Sequence, residues 1–187
     1  MSFAIPPVNP PLGIFQNYYA QQPTTLLLKE RIRSFTGNDF GIKDVNGNVV
    51  CICKGKVMSM RDRMDPMGNV LFHLRLKLAA MLPLWKGEDA SGNELFEVSR
   101  TWSFRPKVKA RFINAATGAP TVISVRGGYL AMNADLAIGE EGEGPMVGHI
   151  DRVLFAKSQW GGAQTGVDLS LMAAICICFD EITQKGR

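Results

Sequence analysis

The chain closes on GVDLSLMAAICICFDEITQKGR, where the only polar side chain from Leu169 to Phe179 is Ser170. A helix with no wet face must be surrounded on every side. A membrane span would need about 20 apolar residues, and Asp180 and Glu181 break this run at roughly half that length. A buried strand would suit the β-branched Ile175 and Ile177, but such strands usually run about four to eight residues. Length and ends both favour a helix. Asp168 is a natural N-cap, able to accept from the free N–H groups of the first turn, and Lys185 and Gly186 suit a C-terminus. At ~1.5 Å per residue, Asp168 to Lys185 would reach about 27 Å, enough to thread a small domain. The rest of the chain is therefore expected to supply a wrapper.

The wrapper is written in repeated turns. Asp, two residues, Gly, Asn recurs as DVNGN (Asp44 to Asn48), DPMGN (Asp65 to Asn69) and DASGN (Asp89 to Asn93). Asp and Asn supply side-chain turn bonds and Gly supplies positive φ, so each copy reads as a hairpin turn. Later turns fall at NAATGAP (Asn114 to Pro120), RGG (Arg126 to Gly128) and GEEGEGP (Gly139 to Pro145). The segments between them predict strands near 25–31, 39–43, 49–53, 56–60, 70–78, 81–86, 94–100, 106–113, 121–126, 129–137, 146–151 and 153–157. Antiparallel strands in that number can close on themselves and remove their edges. The fold class expected is mainly β: a closed antiparallel barrel of about twelve strands around a buried hydrophobic C-terminal helix near 168–185.

One domain is expected from 187 residues, with 46% hydrophobic and 20% charged side chains. Residues 1–23 hold half of the ten prolines and read as an extended arm that Phe15, Tyr18 and Tyr19 could pin to a barrel domain spanning 24–187. The N-terminal MSFAIPPVNPPLG has neither a basic start nor a long apolar core, so no secretory signal is expected. The cysteines form two C-x-C pairs, Cys51/Cys53 and Cys176/Cys178, not the C-x₂₋₄-C spacing usual for zinc. They read as small core residues in a reducing, cytoplasmic setting, with no metal and no cofactor.

Catalytic signatures are lacking in the sequence. His73 and His149 are its two histidines, and no G-x-S-x-G, H-E-x-x-H or P-loop occurs. The chain is therefore expected not to be an enzyme. GEGPMVG is a poor phosphate loop, because Glu140, Glu141 and Glu143 repel phosphate and Pro145 lacks an N–H; it reads as an acidic surface loop. The more suggestive stretch is FRPKVKARF. On a strand, Arg105, Lys107, Lys109 and Arg111 share one face, opposite Pro106, Val108, Ala110 and Phe112. HLRLKL adds Arg75 and Lys77 in the same alternation, and Trp85 and Trp102 could sit at a membrane interface beside such a strip. A second basic segment, KGKVMSMRDRM, carries Lys54, Lys56, Arg61 and Arg63 and reads as a surface corner. The net charge of +4 and pI of about 9.0 suit an anionic partner. Nucleic acid is disfavoured, since exposed aromatics among the cations would be expected and aromatics make up only 9%. The competing reading is a solvated barrel exterior that uses Lys and Arg for solubility.

FGIKDVNGNVV followed by SMRDRMDPMGNVLFHLRLK resembles the plant LURP-one-related family, and so does the closing GVDLSLMAAICICFDEITQ. The resemblance covers roughly residues 24 to 185. It implies a barrel of about twelve strands enclosing a C-terminal helix, the shape shared with tubby C-terminal domains and phospholipid scramblases. Tubby proteins bind phosphoinositides and regulate transcription; scramblases are membrane-associated; LURP-one-related proteins are linked to pathogen defence. SQWGGAQTG stands where scramblases carry an acidic calcium segment, so neither calcium binding nor scrambling is expected. The function expected is a non-enzymatic tubby-like binding protein that docks anionic phospholipid, such as phosphoinositide headgroups, through Arg105, Lys107, Lys109, Arg111, Arg75 and Lys77. Its setting would be cytoplasmic or peripheral at a membrane, with the nucleus left open. The alternative is a protein-interaction or scaffold module with no lipid ligand, using the barrel surface and the Pro-rich arm.

Overall fold

A computed structural model describes residues 6–29, 40–56, 60–64, 69–77, 82–102, 107–128, 133–153 and 158–184. The fold is mainly β, one large antiparallel sheet with a single C-terminal helix. The strands are β1 (Thr24–Lys29), β2 (Phe40–Asp44), β3 (Val49–Lys56), β4 (Met60–Met64), β5 (Val70–Lys77), β6 (Leu84–Glu88), β7 (Glu94–Arg100), β8 (Lys107–Ile113), β9 (Pro120–Gly127), β10 (Asn133–Ile138), β11 (Met146–Val153) and β12 (Ser158–Ala163). The helix α1 is Leu169–Gln184. Each strand pairs with the next, and β1 pairs along its length with β12 as well as with β2.

The Asp-x-x-Gly-Asn turns explain the hairpins. Asp44 Oδ1 accepts from the amides of Asn46 (2.9 Å) and Asn48 (2.8 Å), and Oδ2 from the Asn48 side chain (2.8 Å). Asp89 repeats this with Ser91 and Asn93, each bond at 2.8 Å. The glycines take φ of +86° at Gly47 and +87° at Gly92, a region costly to any residue with a Cβ. Bonds from Asn48 and Asn93 hold the two aspartates below the usual carboxylate pKa. In the DPMGN copy, 65–68 lie outside the described residues.

Alternation in the strands places one face inside. Phe72 and Leu74 of β5, Val98 of β7, Val108 and Ala110 of β8 and Leu136 of β10 are fully buried. They form one core with α1, in which every residue from Leu171 to Phe179 is at most 3% exposed. The apolar helix is thus enclosed, as its lack of a wet face requires. Burial of Cys176 pushes its thiol pKa up to about 12, which suits a packing role. Cys51 and Cys178 are buried too.

Two strands differ from their expected places: the one expected near 56–60 is β4, Met60–Met64, and the last is shifted as well. Strand structure was expected at 153–157, whereas β12 is Ser158–Ala163 and contains Gly161 and Gly162. Glycine weakens strand propensity, which hid this strand. Gly161 is needed for close approach, since a Cβ there would lie 2.8 Å from Cys176 Sγ on α1. Residues 154–157 are outside the described set.

The arm crosses the start of α1. Val8 N donates to Thr165 O (2.9 Å), Leu12 N to Gly166 O (2.8 Å) and Ala20 N to Val167 O (2.9 Å), while Asp168 N donates back to Leu12 O (2.8 Å). Leu12 and Ala20 are buried, and the Phe15 ring stacks on Phe72 with centroids 6.3 Å apart. Asp168 is the N-cap, with Oδ1 accepting from the amides of Ser170 (2.8 Å) and Leu171 (3.2 Å) and from the Ser170 hydroxyl (2.6 Å). Its other oxygen, Oδ2, accepts from Ile14 N (3.0 Å) and Phe15 N (2.8 Å), so one buried carboxylate joins arm to helix. Burial pushes this carboxyl's pKa up, against the pull of those donors.

Candidate functional site

β8 lies between β7 and β9. Its alternation sends Val108 and Ala110 into the core and leaves Lys107, Lys109 and Arg111 on the outer face. Arg105, expected to extend this row, lies outside the described residues, as does Pro106. The row is covered from above by the loop between β10 and β11, residues 139–145.

Two carboxylates of that loop bridge the three cations. Glu141 accepts from Lys107 Nζ at 2.5 Å and from Lys109 Nζ at 3.5 Å. Glu140 accepts from Lys109 Nζ at 2.6 Å and from Arg111 Nη2 at 3.1 Å. Arg111 also lies 3.5 Å from Glu97 of β7 and donates to Ser99 Oγ at 3.3 Å. The side chains of Lys107 and Lys109 are only 16% and 11% exposed, against 54% for Glu140 and 66% for Glu141. The carboxylates therefore form the solvent layer and the ammonium groups sit beneath it. The bond from Lys109 holds the Glu140 carboxyl below its usual pKa, and the bond from Lys107 does the same for Glu141. The loop is moored at its start: Gly139 N donates to Val122 O at 2.9 Å, and the Ser124 hydroxyl lies 2.7 Å and 2.8 Å from the carbonyls of Gly139 and Glu140.

Arg75 and Lys77 stand on β5 and share one acid on β6: Arg75 Nε is 3.0 Å from Glu88 and Lys77 Nζ is 3.7 Å from it. The structure does not merge them with the β8 row, because β6 and β7 intervene. A lateral register of Arg75, Lys86, Glu97 and Arg111 runs across the four strands. Lys86 in turn pairs with Glu94 at 2.5 Å.

The two tryptophans part company. Trp85 is 2% exposed and belongs to the core, which corrects its expected place at an interface. Trp102 is 77% exposed in the β7–β8 connection, next to Thr101, whose amide donates to Lys107 O at 3.0 Å. An exposed indole thus stands near the Lys107 end of the row. At the other end lies an open cleft of about 440 Å³, lined by Leu95, Phe112, Ile113 and Val122 and also by Arg111 and Glu140.

His149 is held between two acids on an exposed face, with Nδ1 2.5 Å from Asp135 and Nε2 3.2 Å from Asp151. Burial alone would lower its pKa, but the bond to Asp135 and the charge of Asp151 outweigh it and raise the value. It does not line the cleft, and neither does His73. Among the described residues no group of three or more His, Cys, Asp or Glu side chains is placed to hold a metal ion. Among the same residues no helix is long and apolar enough to cross a membrane. The side chains of Lys54, Lys56, Arg61 and Arg63, from the second basic segment, lie outside the described residues.

Sequence reasoning identified the cations of β8 but missed their partners. The signal was available in the two adjacent glutamates of GEEGEGP, read only as an acidic surface loop.

The sheet with its buried C-terminal helix is a fold with a counterpart in a solved structure. The LURP-one-related family model matches residues 24–180, and the chain belongs to that family. An X-ray structure of a protein from Arabidopsis thaliana shares the fold with a TM-score of 0.63 at 19% identity, covering 90% of this chain and 96% of the other. No curated protein sequence matches this chain significantly.

Proposed function

We propose that the chain is a non-enzymatic docking module that rests the β8 face on anionic phospholipid, phosphoinositide headgroups among the candidates, at the cytosolic surface of a membrane. The reading treats the sheet as a barrel closed around α1, supported by the pairing of β1 with both β12 and β2. A rigid wall of this kind fixes the spacing of the cations it carries. The observation that carries the proposal is the alignment of Lys107, Lys109 and Arg111 on one outer face, with the exposed Trp102 nearby. Lys and Arg meet phosphate oxygens with charge-assisted hydrogen bonds, and Trp favours the boundary between headgroups and acyl chains.

Cosedimentation with vesicles tests this. Binding is expected with phosphatidylcholine vesicles that carry an anionic phospholipid, and it should weaken as salt is raised. Equal binding to pure phosphatidylcholine vesicles, or none to phosphoinositide vesicles at low salt, would reject the proposal.

A further inference from the structure

Around the three β8 cations the neighbouring acids balance the charge. Lys107, Lys109 and Arg111 contribute +3, and Glu97, Glu140 and Glu141 contribute −3, a sum of zero. A charge-balanced cluster draws anions from a distance only weakly, even with the exposed Arg126 opposite Lys107. Two of the three acids come from one loop, and withdrawing their carboxylates would leave +3 − 1 = +2.

We propose that the β10–β11 loop is a built-in competitor for the docking face: Glu140 and Glu141 occupy the positions that anionic headgroups take on binding, and docking requires those two carboxylates to swing away. The inference rests on the docking reading above and adds its regulation. Each carboxylate reaches two neighbouring cations, Glu141 those of Lys107 and Lys109, and Glu140 those of Lys109 and Arg111. Both carboxylates reach Lys109 Nζ, at 2.6 Å and 3.5 Å, so the loop lays two anionic groups side by side along the row. A single small anion replaces only one of them. A membrane surface, with many headgroups, can replace both at once.

The geometry also makes the exchange cheap. Glu140 and Glu141 are on the solvent side, so their carboxylates leave without disturbing the core. The backbone moorings at Ser124 and Val122 hold Gly139 and the Glu140 carbonyl and do not depend on either carboxylate. Glu143, whose carboxylate accepts from Glu141 N at 2.9 Å, stabilises the loop in the covering position. If the pairs served only the fold, removing them would weaken the protein and leave its affinity for anions tied to net charge alone.

The test is vesicle cosedimentation at low salt with three full-length proteins: the wild type, the double variant Glu140→Gln with Glu141→Gln, and a control of equal charge change, Val45→Lys with Ala90→Lys. The control sites are exposed positions in the two hairpin turns. The vesicles are phosphatidylcholine with an anionic phospholipid, and pure phosphatidylcholine serves as the blank. The loop variant is expected to bind roughly three- to tenfold more tightly than the wild type, a gain set by releasing exposed ion pairs. The control should gain less than half of that factor. A loop variant no tighter than the control overturns the loop inference while leaving docking intact. Failure of both the wild type and the loop variant to bind anionic vesicles overturns the docking reading and this inference with it. Melting curves of the three proteins verify that all are folded at the assay temperature.

Discussion

Replacing Asp168 by Asn separates this helix cap from an ordinary one. At a typical N-cap, Asn and Asp serve about equally, because a single side-chain oxygen does the work. Here both oxygens are occupied: Oδ1 takes the Ser170 and Leu171 amides and the Ser170 hydroxyl, and Oδ2 takes the Ile14 and Phe15 amides. Asn has one oxygen and one NH₂. Turned one way, the NH₂ faces the two arm amides; turned the other, it faces the two helix amides. Either orientation leaves two N–H groups without an acceptor around a fully buried residue. Each such loss costs about 1–3 kcal/mol, so the variant should lose about 2–6 kcal/mol. For a domain of this size that is a melting temperature lower by roughly 4–24 °C. Thermal unfolding by circular dichroism measures the loss, and hydrogen exchange shows where it falls, with faster exchange expected at Ile14 and Phe15. An Asp168→Asn protein within about 0.5 kcal/mol of the wild type would refute the two-sided cap.

Other expectations follow from the same contacts. Phe179→Ala, at a site 1% exposed on α1, should cost about 3–5 kcal/mol in chemical denaturation, and a loss under 1 kcal/mol would contradict the enclosed helix. Gly92→Ala forces a Cβ into a left-handed turn and should cost about 1–2 kcal/mol, whereas Ala90→Gly in the same turn should change stability much less. The depressed pKa values of Glu140 and Glu141 mean that their ion pairs stabilise the fold above the ordinary Glu pKa of about 4.3, with the contribution lost as pH falls through the lower folded-state values. The melting difference between the wild type and the Glu140→Gln, Glu141→Gln protein should therefore shrink on acidification below about pH 4, and a difference independent of pH would argue against the pairing.

What the sequence revealed depended on the range over which each feature is encoded. The Asp-x-x-Gly-Asn turns are local: the Asp44 carboxylate bonds to residues within four positions, so composition and spacing sufficed. The enclosed helix was legible because an unbroken apolar run admits few alternatives. The row on β8 followed from the two-residue period of a strand. Its neutralisation did not, since Lys109 and Glu140 are 31 residues apart and meet only through the pairing of β8 with β9 and the mooring of the loop on Ser124. The arm was read as a Pro-rich, extended segment that Phe15, Tyr18 and Tyr19 could pin. Its hold on residues 165–168 runs largely through backbone bonds, which carry no side-chain signature. β12 was displaced because glycines hide a strand in the sequence, and Gly161 answers to Cys176 of the helix beside it as well as to the strand.

Docking of the β8 cations on anionic membrane is tested by removing those cations. The triple variant Lys107→Gln, Lys109→Gln, Arg111→Gln is compared with the wild type on vesicles with and without an anionic phospholipid, at low salt. The wild type should sediment with anionic vesicles only, and the folded triple variant should stay in the supernatant. Equal sedimentation of a folded triple variant would contradict this docking.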